Sequence, residues 1–165
     1  MIRKTLVHYG GIAGAVLTAA ALLFFSFDIL QVREVSMVPE LIPGQTIIVN
    51  KIAYRLPVFQ KQIPSLDDIV VFKSPYDHQL VVKRCKLLPG DPVIIDPAGW
   101  LIVGNDRYFL TSRQKDMLSG VDRVPDNTVL VLGDNPFHSV DSRDYGFISI
   151  ERIRGKVIQH AGVFH

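Results

Sequence analysis

Lys83 closes the apolar run Leu80-Val81-Val82 and opens the stretch Lys-Arg-Cys-Lys-Leu-Leu, which ends in a turn at Pro89-Gly90-Asp91. A lysine acts as a base only when neutral, and moving it from a pKa of about 10.4 to about 7 takes roughly 4.6 kcal/mol. Burial can supply that, since desolvation lowers lysine pKa values by up to about 3 to 5 units where carboxylates are kept away. Lys86 lies beyond the expected strand end, and on an alternating strand Arg84 points to the opposite face, which leaves Lys83 as the candidate. The nucleophile then comes from Val35–Pro39, where Ser36 precedes Met37. A serine hydroxyl attacks an amide only if a partner takes its proton, and the usual partner is histidine. Of the five histidines, His8 falls in the apolar N-terminal run, His78 in a polar turn and His160 and His165 near the C-terminus; only His138 sits in a motif-like segment. The spacing therefore allows a second arrangement, a Ser36, His138 and Asp141 triad, because triads are set by geometry and not by chain order. A lone lysine on an edge strand is ordinarily a surface residue, and Lys83 stands out only together with the other stretches.

The third stretch is Gly133–Gly146, Gly-Asp-Asn-Pro-Phe-His-Ser-Val-Asp-Ser-Arg-Asp-Tyr-Gly. In this order the three stretches resemble the type I signal peptidases, over most of the chain after Val32, the last being the most specific. The resemblance implies that Ser36 is the nucleophile and that Lys83, from the Lys-Arg pair, is its general base. Ser139, Asp141 and Arg143 match the Ser-x-Asp-Ser-Arg core; Ser139 is then expected to hydrogen-bond and orient Lys83, with Asp141 and Arg143 pairing to hold the site. A plainer reading of Asp141 and Arg143 is a surface pair on one strand face, of little energetic weight. Asp134 and Asn135 read as turn-shaping residues. The Ser36 N–H is the expected first donor to an oxyanion. Glu34 departs from the hydroxyl or glycine of family members and should point away from the site, where its charge would oppose the oxyanion. Glu40, Gln45 and Pro136 depart from the threonine, aspartate and arginine common there. The implied substrates are signal peptides of exported preproteins, cut after small residues in an Ala-x-Ala pattern. Val32, Met37, Leu41, Ile47, Val81 and Val82 would line shallow apolar pockets, though each is also an ordinary core residue. The peptide would bind extended along a strand edge beside Lys83.

The elements that must position these residues begin with an anchor. Arg3 and Lys4 precede a run from Thr5 to Phe27 free of Asp, Glu, Lys and Arg. As a helix it would reach about 34 Å, enough to span a bilayer. The positive flank favours a cytoplasmic N-terminus and a catalytic domain on the outer face of the cell membrane. Ala19-Ala20-Ala21 offers the competing reading of a cleaved signal, but cleavage there would leave Leu-Leu-Phe-Phe at the new N-terminus, residues an anchor needs. Beyond it come short apolar runs broken by Pro, Gly and Asp, the look of a β-rich domain. Strands are expected at Thr46–Asn50, Ile69–Phe72, Leu80–Arg84, Val93–Ile95, Leu101–Val103, Val129–Leu132 and Gly155–Gln159, with one helical turn at Ser149–Arg154 capped by Ser149. Tyr54–Phe59, apolar and broken by Pro57, reads as a core-covering loop, or else as one that dips into the membrane near the anchor, and Tyr108–Asp126 as a solvated, strand-poor excursion without chemistry. The expected fold is thus mostly β, a signal-peptidase-like catalytic domain of antiparallel sheets over 32–165, preceded by a cytoplasmic tip and one transmembrane helix over 1–31.

At 165 residues and a net charge of +2, the chain has room for one ordinary soluble domain, and its scattered basic residues argue against nucleic acid as a partner. The single cysteine, Cys85, excludes an internal disulfide and a cysteine zinc site; no cofactor or metal is expected, and Cys85 reads as a small core residue. The expected partners are signal peptides and the lipid bilayer. Three rivals share features with this reading. A mitochondrial inner-membrane processing peptidase would use the same dyad in another compartment. A self-cleaving repressor would carry a DNA-binding helix pair in place of the anchor. A catalytically silent anchored domain assisting a partner peptidase is suggested by Glu34 but not by the presence of both Ser36 and Lys83.

Overall fold

The structure, a computed structural model, describes residues 14–15, 17–18, 24–54 and 63–160. Among the described residues no helix is long and apolar enough to cross a membrane. The anchor expected over Thr5–Phe27 falls mostly outside the described residues, as do residues 55–59 of the expected loop at Tyr54–Phe59.

Among the described residues from Phe27 onward, ten strands and two short helices follow one another as β1 (Phe27–Gln31), β2 (Thr46–Asn50), β3 (Ile69–Lys73), β4 (Leu80–Leu87), β5 (Ile94–Ile95), β6 (Trp100–Val103), β7 (Asp106–Phe109), α1 (Ser112–Leu118), β8 (Thr128–Leu132), α2 (Ser142–Tyr145), β9 (Ile148–Ser149) and β10 (Ile153–His160). They build a seven-stranded sheet in the order β1-β2-β10-β3-β4-β8-β9 and a three-stranded sheet β5-β6-β7. Every strand pair is antiparallel, in keeping with the mostly β expectation.

The central strands are the β-branched runs. In β3, Val70, Val71 and Phe72 are buried on both faces of the sheet, which is why the run is continuously apolar and not alternating. One face carries the cluster of Val32, Met37, Leu41, Ile47, Val49, Ile69, Val71 and Val157. The other carries Val70, Phe72, Cys85, Val129, Val131, Ile148 and Ile153. Cys85 is fully buried, as expected of a core residue, and burial pushes its thiol pKa up to about 12. A third cluster, including Leu101, Leu118, Leu130 and Leu132, joins the small sheet to β8.

Four expectations need correction. Residues 27–31, grouped with the anchor, form an edge strand pairing with β2 from Phe27↔Asn50 to Gln31↔Thr46, and Leu30 packs on the first cluster. The apolar run simply continues from helix into strand, so its pattern marks no boundary there. The excursion at Tyr108–Asp126 holds the end of β7 and all of α1. Helix α1 starts with a capping box, Thr111 Oγ1 accepting from the Gln114 N–H while the Gln114 side chain accepts from the Thr111 N–H; that Thr-x-x-Gln signal was present in the sequence. The segment at Ser149–Arg154 is only a 3-10 turn over Ile150–Arg152, and the Ser149 side chain makes no capping bond. Finally, Asp141 and Arg143 lie at the start of α2 and not on a strand.

Candidate active site

Ser36 sits in a 3-10 turn, Val35–Met37, held by Val38 N–H to Val35 O (3.1 Å) and followed by Leu41 N–H to Met37 O (2.8 Å). Met37 and Leu41 are almost wholly buried and anchor the turn on the sheet. The third stretch clamps it from the other side. The Asn135 N–H donates to Ser36 O (3.0 Å) and Asn135 Nδ2 donates to Val35 O (3.2 Å). Gly133 is packed so closely that a Cβ there would lie 2.5 Å from Ser36 O and run into the Ser139 side chain. Only a residue without a side chain fits between these two serines.

Lys83 reaches Ser36 from β4. Its Nζ lies 2.7 Å from Ser36 Oγ and 3.1 Å from Val82 O. Both side chains are enclosed, Lys83 being 3% and Ser36 8% exposed. Burial drives the Lys83 pKa down, against the pull of the Asp141, Glu34 and Asp134 carboxylates and with the help of Arg143. Two of those carboxylates are already occupied. Arg84 forks onto Asp134 (Nε to Oδ1 2.8 Å, Nη2 to Oδ2 2.7 Å), and Arg143 forks onto Asp141 (both bonds 2.9 Å). Among the described residues no carboxylate forms an ion pair with Lys83. A buried amine without a counter-ion, in contact with a hydroxyl, is arranged to accept a proton.

Asp141 and Arg143 are not a surface pair. Asp141 is completely buried and Arg143 is 5% exposed. Asp141 Oδ2 also accepts from the Gly133 N–H (3.0 Å) and Oδ1 from the Arg143 N–H (3.2 Å), while Arg143 Nη2 donates to Pro136 O (2.9 Å). The pair therefore ties the end of β8 to the loop that clamps Ser36. Ser139 departs from expectation: its buried Oγ has no hydrogen-bond partner, and Lys83 turns to Ser36 Oγ and Val82 O instead.

The histidine arrangement is not assembled. His138 is exposed, its Nδ1 lying 3.4 Å from Asn135 Oδ1, and Asp141 is committed to Arg143 and Gly133. Glu34 is exposed, and its charge favours protonated Lys83. Of the expected pocket residues, Val32, Met37, Leu41 and Ile47 share one cluster with Val82 packed against it. Val81 packs on the opposite cluster, so the six do not form one pocket.

Three contributors escaped the sequence reading: Gly133, the Asn135 side chain and the Arg84–Asp134 fork. Each acts across about 50 or more residues of sequence, and nothing in a single chain marks such partners.

The model of a family described as "Signal peptidase, peptidase S26" matches residues 5–160. A relative named "Signal peptidase I" from Bacillus caldolyticus is 33% identical over 158 residues, spanning 87% of this chain and 84% of that one. "Mitochondrial inner membrane protease subunit 1" from Saccharomyces cerevisiae is 29% identical over 142 residues, spanning 81% of this chain and 67% of its own. A crystal structure of a signal peptidase I from Enterococcus faecalis V583 aligns with a TM-score of 0.41 and 26% identity, over 57% of this chain and 96% of that one.

Proposed function

The chain belongs to the signal peptidase family, peptidase S26, and from that membership we propose a membrane-anchored serine endopeptidase that removes signal peptides from preproteins, with Ser36 as nucleophile and Lys83 as general base. The observation that carries the assignment of roles is the 2.7 Å contact between a buried Lys83 Nζ and Ser36 Oγ.

In this reading neutral Lys83 takes the Ser36 proton as Oγ attacks the carbonyl carbon of the scissile amide. The Ser36 N–H faces the developing oxyanion. Lys83, now an ammonium, gives the proton to the leaving amine nitrogen, and the acyl-enzyme is then hydrolysed by a water that Lys83 deprotonates. Asp141 and Arg143 keep the Gly133 loop against the nucleophile, acting through position.

Strand β4 offers a place for the substrate backbone. It pairs with β3 over Leu80–Arg84, but β8 joins its other side only from Arg84 onward. Among the described residues no strand occupies the far side of Leu80–Lys83, and an extended peptide can add there with its scissile bond beside Lys83. Small residues would face Val32, Val82 and the buried Met37, Leu41 and Ile47, where little room is left. The anchor over Thr5–Phe27 would hold the catalytic domain, residues 32–165 together with β1, on the outer face of the cell membrane, against a lipid bilayer and without a cofactor. The likeness to the yeast protease subunit supports the same chemistry at a mitochondrial inner membrane as a second reading.

Cleavage of a labelled preprotein by the full chain in detergent, with product masses, tests the substrate class. A single cut after an Ala-x-Ala site, abolished when the residue before the cut is made bulky, is expected. Cutting indifferent to that residue would overturn it.

A further inference from the structure

The end of the large sheet where β1 begins is also where β2 and β3 finish and where β10 and β4 start, as the pairs Phe27↔Asn50, Lys156↔Asn50, Ile153↔Phe72 and Lys73↔Leu80 show. The chain enters the sheet there. Residues 24–26 are helical, and the Ser26 carbonyl, at the close of the apolar run, accepts from the Lys51 N–H (2.8 Å). With that run across a bilayer, this end of the sheet meets the membrane surface, and no role above uses what it carries.

On the face that holds Val49 and Val71, a groove of about 190 Å³ opens at this end between Lys51, Lys73 and Arg154, with Asp28 and Leu80 in its wall. Three cations meet one carboxylate, and that one is taken, since Lys51 Nζ lies 2.9 Å from Asp28 Oδ1. Lys73 and Arg154 are exposed, and among the described residues neither forms an ion pair. Like charges that line one groove repel each other until an anion sits between them. Exposed apolar side chains border the cations: Leu80 on the groove, and Phe24 and Phe25 on the helical residues just before β1. A cationic groove with an aromatic and aliphatic border fits a phosphate that arrives with acyl chains; a free anion makes no use of the border.

We propose that this groove binds the phosphate of an anionic phospholipid, with Lys73 and Arg154 as its main contacts, and so seats the catalytic domain on the membrane. The inference rests on the anchored reading and goes beyond it to a lipid class.

The test measures lipid binding to the full chain in a neutral detergent by native mass spectrometry, using phosphatidylglycerol and phosphatidylcholine of equal chain length. Phosphatidylglycerol should bind about five- to thirtyfold more tightly, which is what one or two cations near an anionic surface are worth. In Lys73→Gln/Arg154→Gln that preference should fall toward one, and in Lys73→Arg/Arg154→Lys it should persist. Both side chains are exposed, so both variants should keep the wild-type urea midpoint. A preference that survives in the glutamine variant belongs to Arg3 and Lys4, at the other end of the run, and overturns the groove; equal binding of the two lipids by the wild type overturns it as well. Displacement of phosphatidylglycerol by an equal concentration of glycerophosphate would make this a site for a free anion and overturn the lipid assignment. Binding needs no cleavage, so each of these results leaves the roles of Ser36 and Lys83 standing. Extraction of the full chain from membranes by alkaline carbonate would instead overturn the anchored reading, and the groove with it.

Discussion

Lys83 is kept from its natural partners. Asp134 and Asp141 sit close enough to favour its charged form, yet each is forked by an arginine, and burial carries the amine's pKa below its ordinary 10.5. A base so placed makes activity rise with pH: kcat/KM for peptide cleavage should climb to a plateau with its midpoint clearly below 10.5, and a profile still rising in proportion to hydroxide through pH 10 would contradict the assignment. The same shift has a sign in stability. Between the lowered folded pKa and 10.5 the unfolded chain binds the extra proton, so stability increases with pH across that window and is lost as pH falls to the folded value. Lys83→Met removes the penalty, and it should be inactive yet have a higher urea midpoint than wild type at neutral pH. At this scale the sequence was informative about Lys83 and Ser36 only through the three stretches taken together, since a lone lysine at the end of an apolar run reads as a surface residue. For Ser139 the resemblance implied a bond to Lys83 that its buried, unpartnered hydroxyl does not make, because a local motif does not fix where a side chain ends up.

Between residues and the sheet stand the short elements that place them. The loop from Gly133 to α2 is stiffened by one buried ion pair, and removing half of it leaves the other half uncompensated. Asp141→Ala should cost about 3–5 kcal/mol in urea unfolding, well beyond a surface pair. Gly133→Ala tests position without touching charge. Its new methyl must push the Ser36 carbonyl or the Ser139 side chain aside, and a nucleophile displaced by about 1 Å should lose about 10²-fold in kcat/KM. A wild-type rate for Gly133→Ala would show that the loop yields without moving Ser36. Strands β3 and β8 were legible because each buries a contiguous β-branched run, and β2 and β4 because their burial alternates along short apolar runs. Strand β7 buries only Tyr108 of four residues, and α1 only Leu118 of seven, so neither carries a readable period. Their order comes from packing on the third cluster, which is tertiary.

Across the whole molecule the seven-stranded sheet joins a segment next to the apolar N-terminal run to the catalytic strands: β1 covers the edge of β2, which pairs with β10, then β3 and β4. A chain lacking residues 1–31 should therefore be less stable than one lacking 1–25, by about 1–2 kcal/mol for the lost burial of Leu30, as read by urea unfolding. Equal stabilities would mean that β1 contributes nothing to the sheet. The start of β1 was invisible in the sequence because the uncharged apolar run reaches Phe27, the strand's first residue. The division of Val81 from Val82 follows from strand alternation, but which cluster each meets depends on strands far away in the chain. That Ser36 gives its proton to Lys83 is tested most directly by preprotein cleavage with the wild type, Ser36→Ala, Lys83→Ala and His138→Ala under one set of conditions. Loss of at least about 10³-fold in the first two variants, with His138→Ala close to wild type, is the predicted result. Activity surviving Lys83→Ala but lost in His138→Ala would contradict it and move the base to histidine.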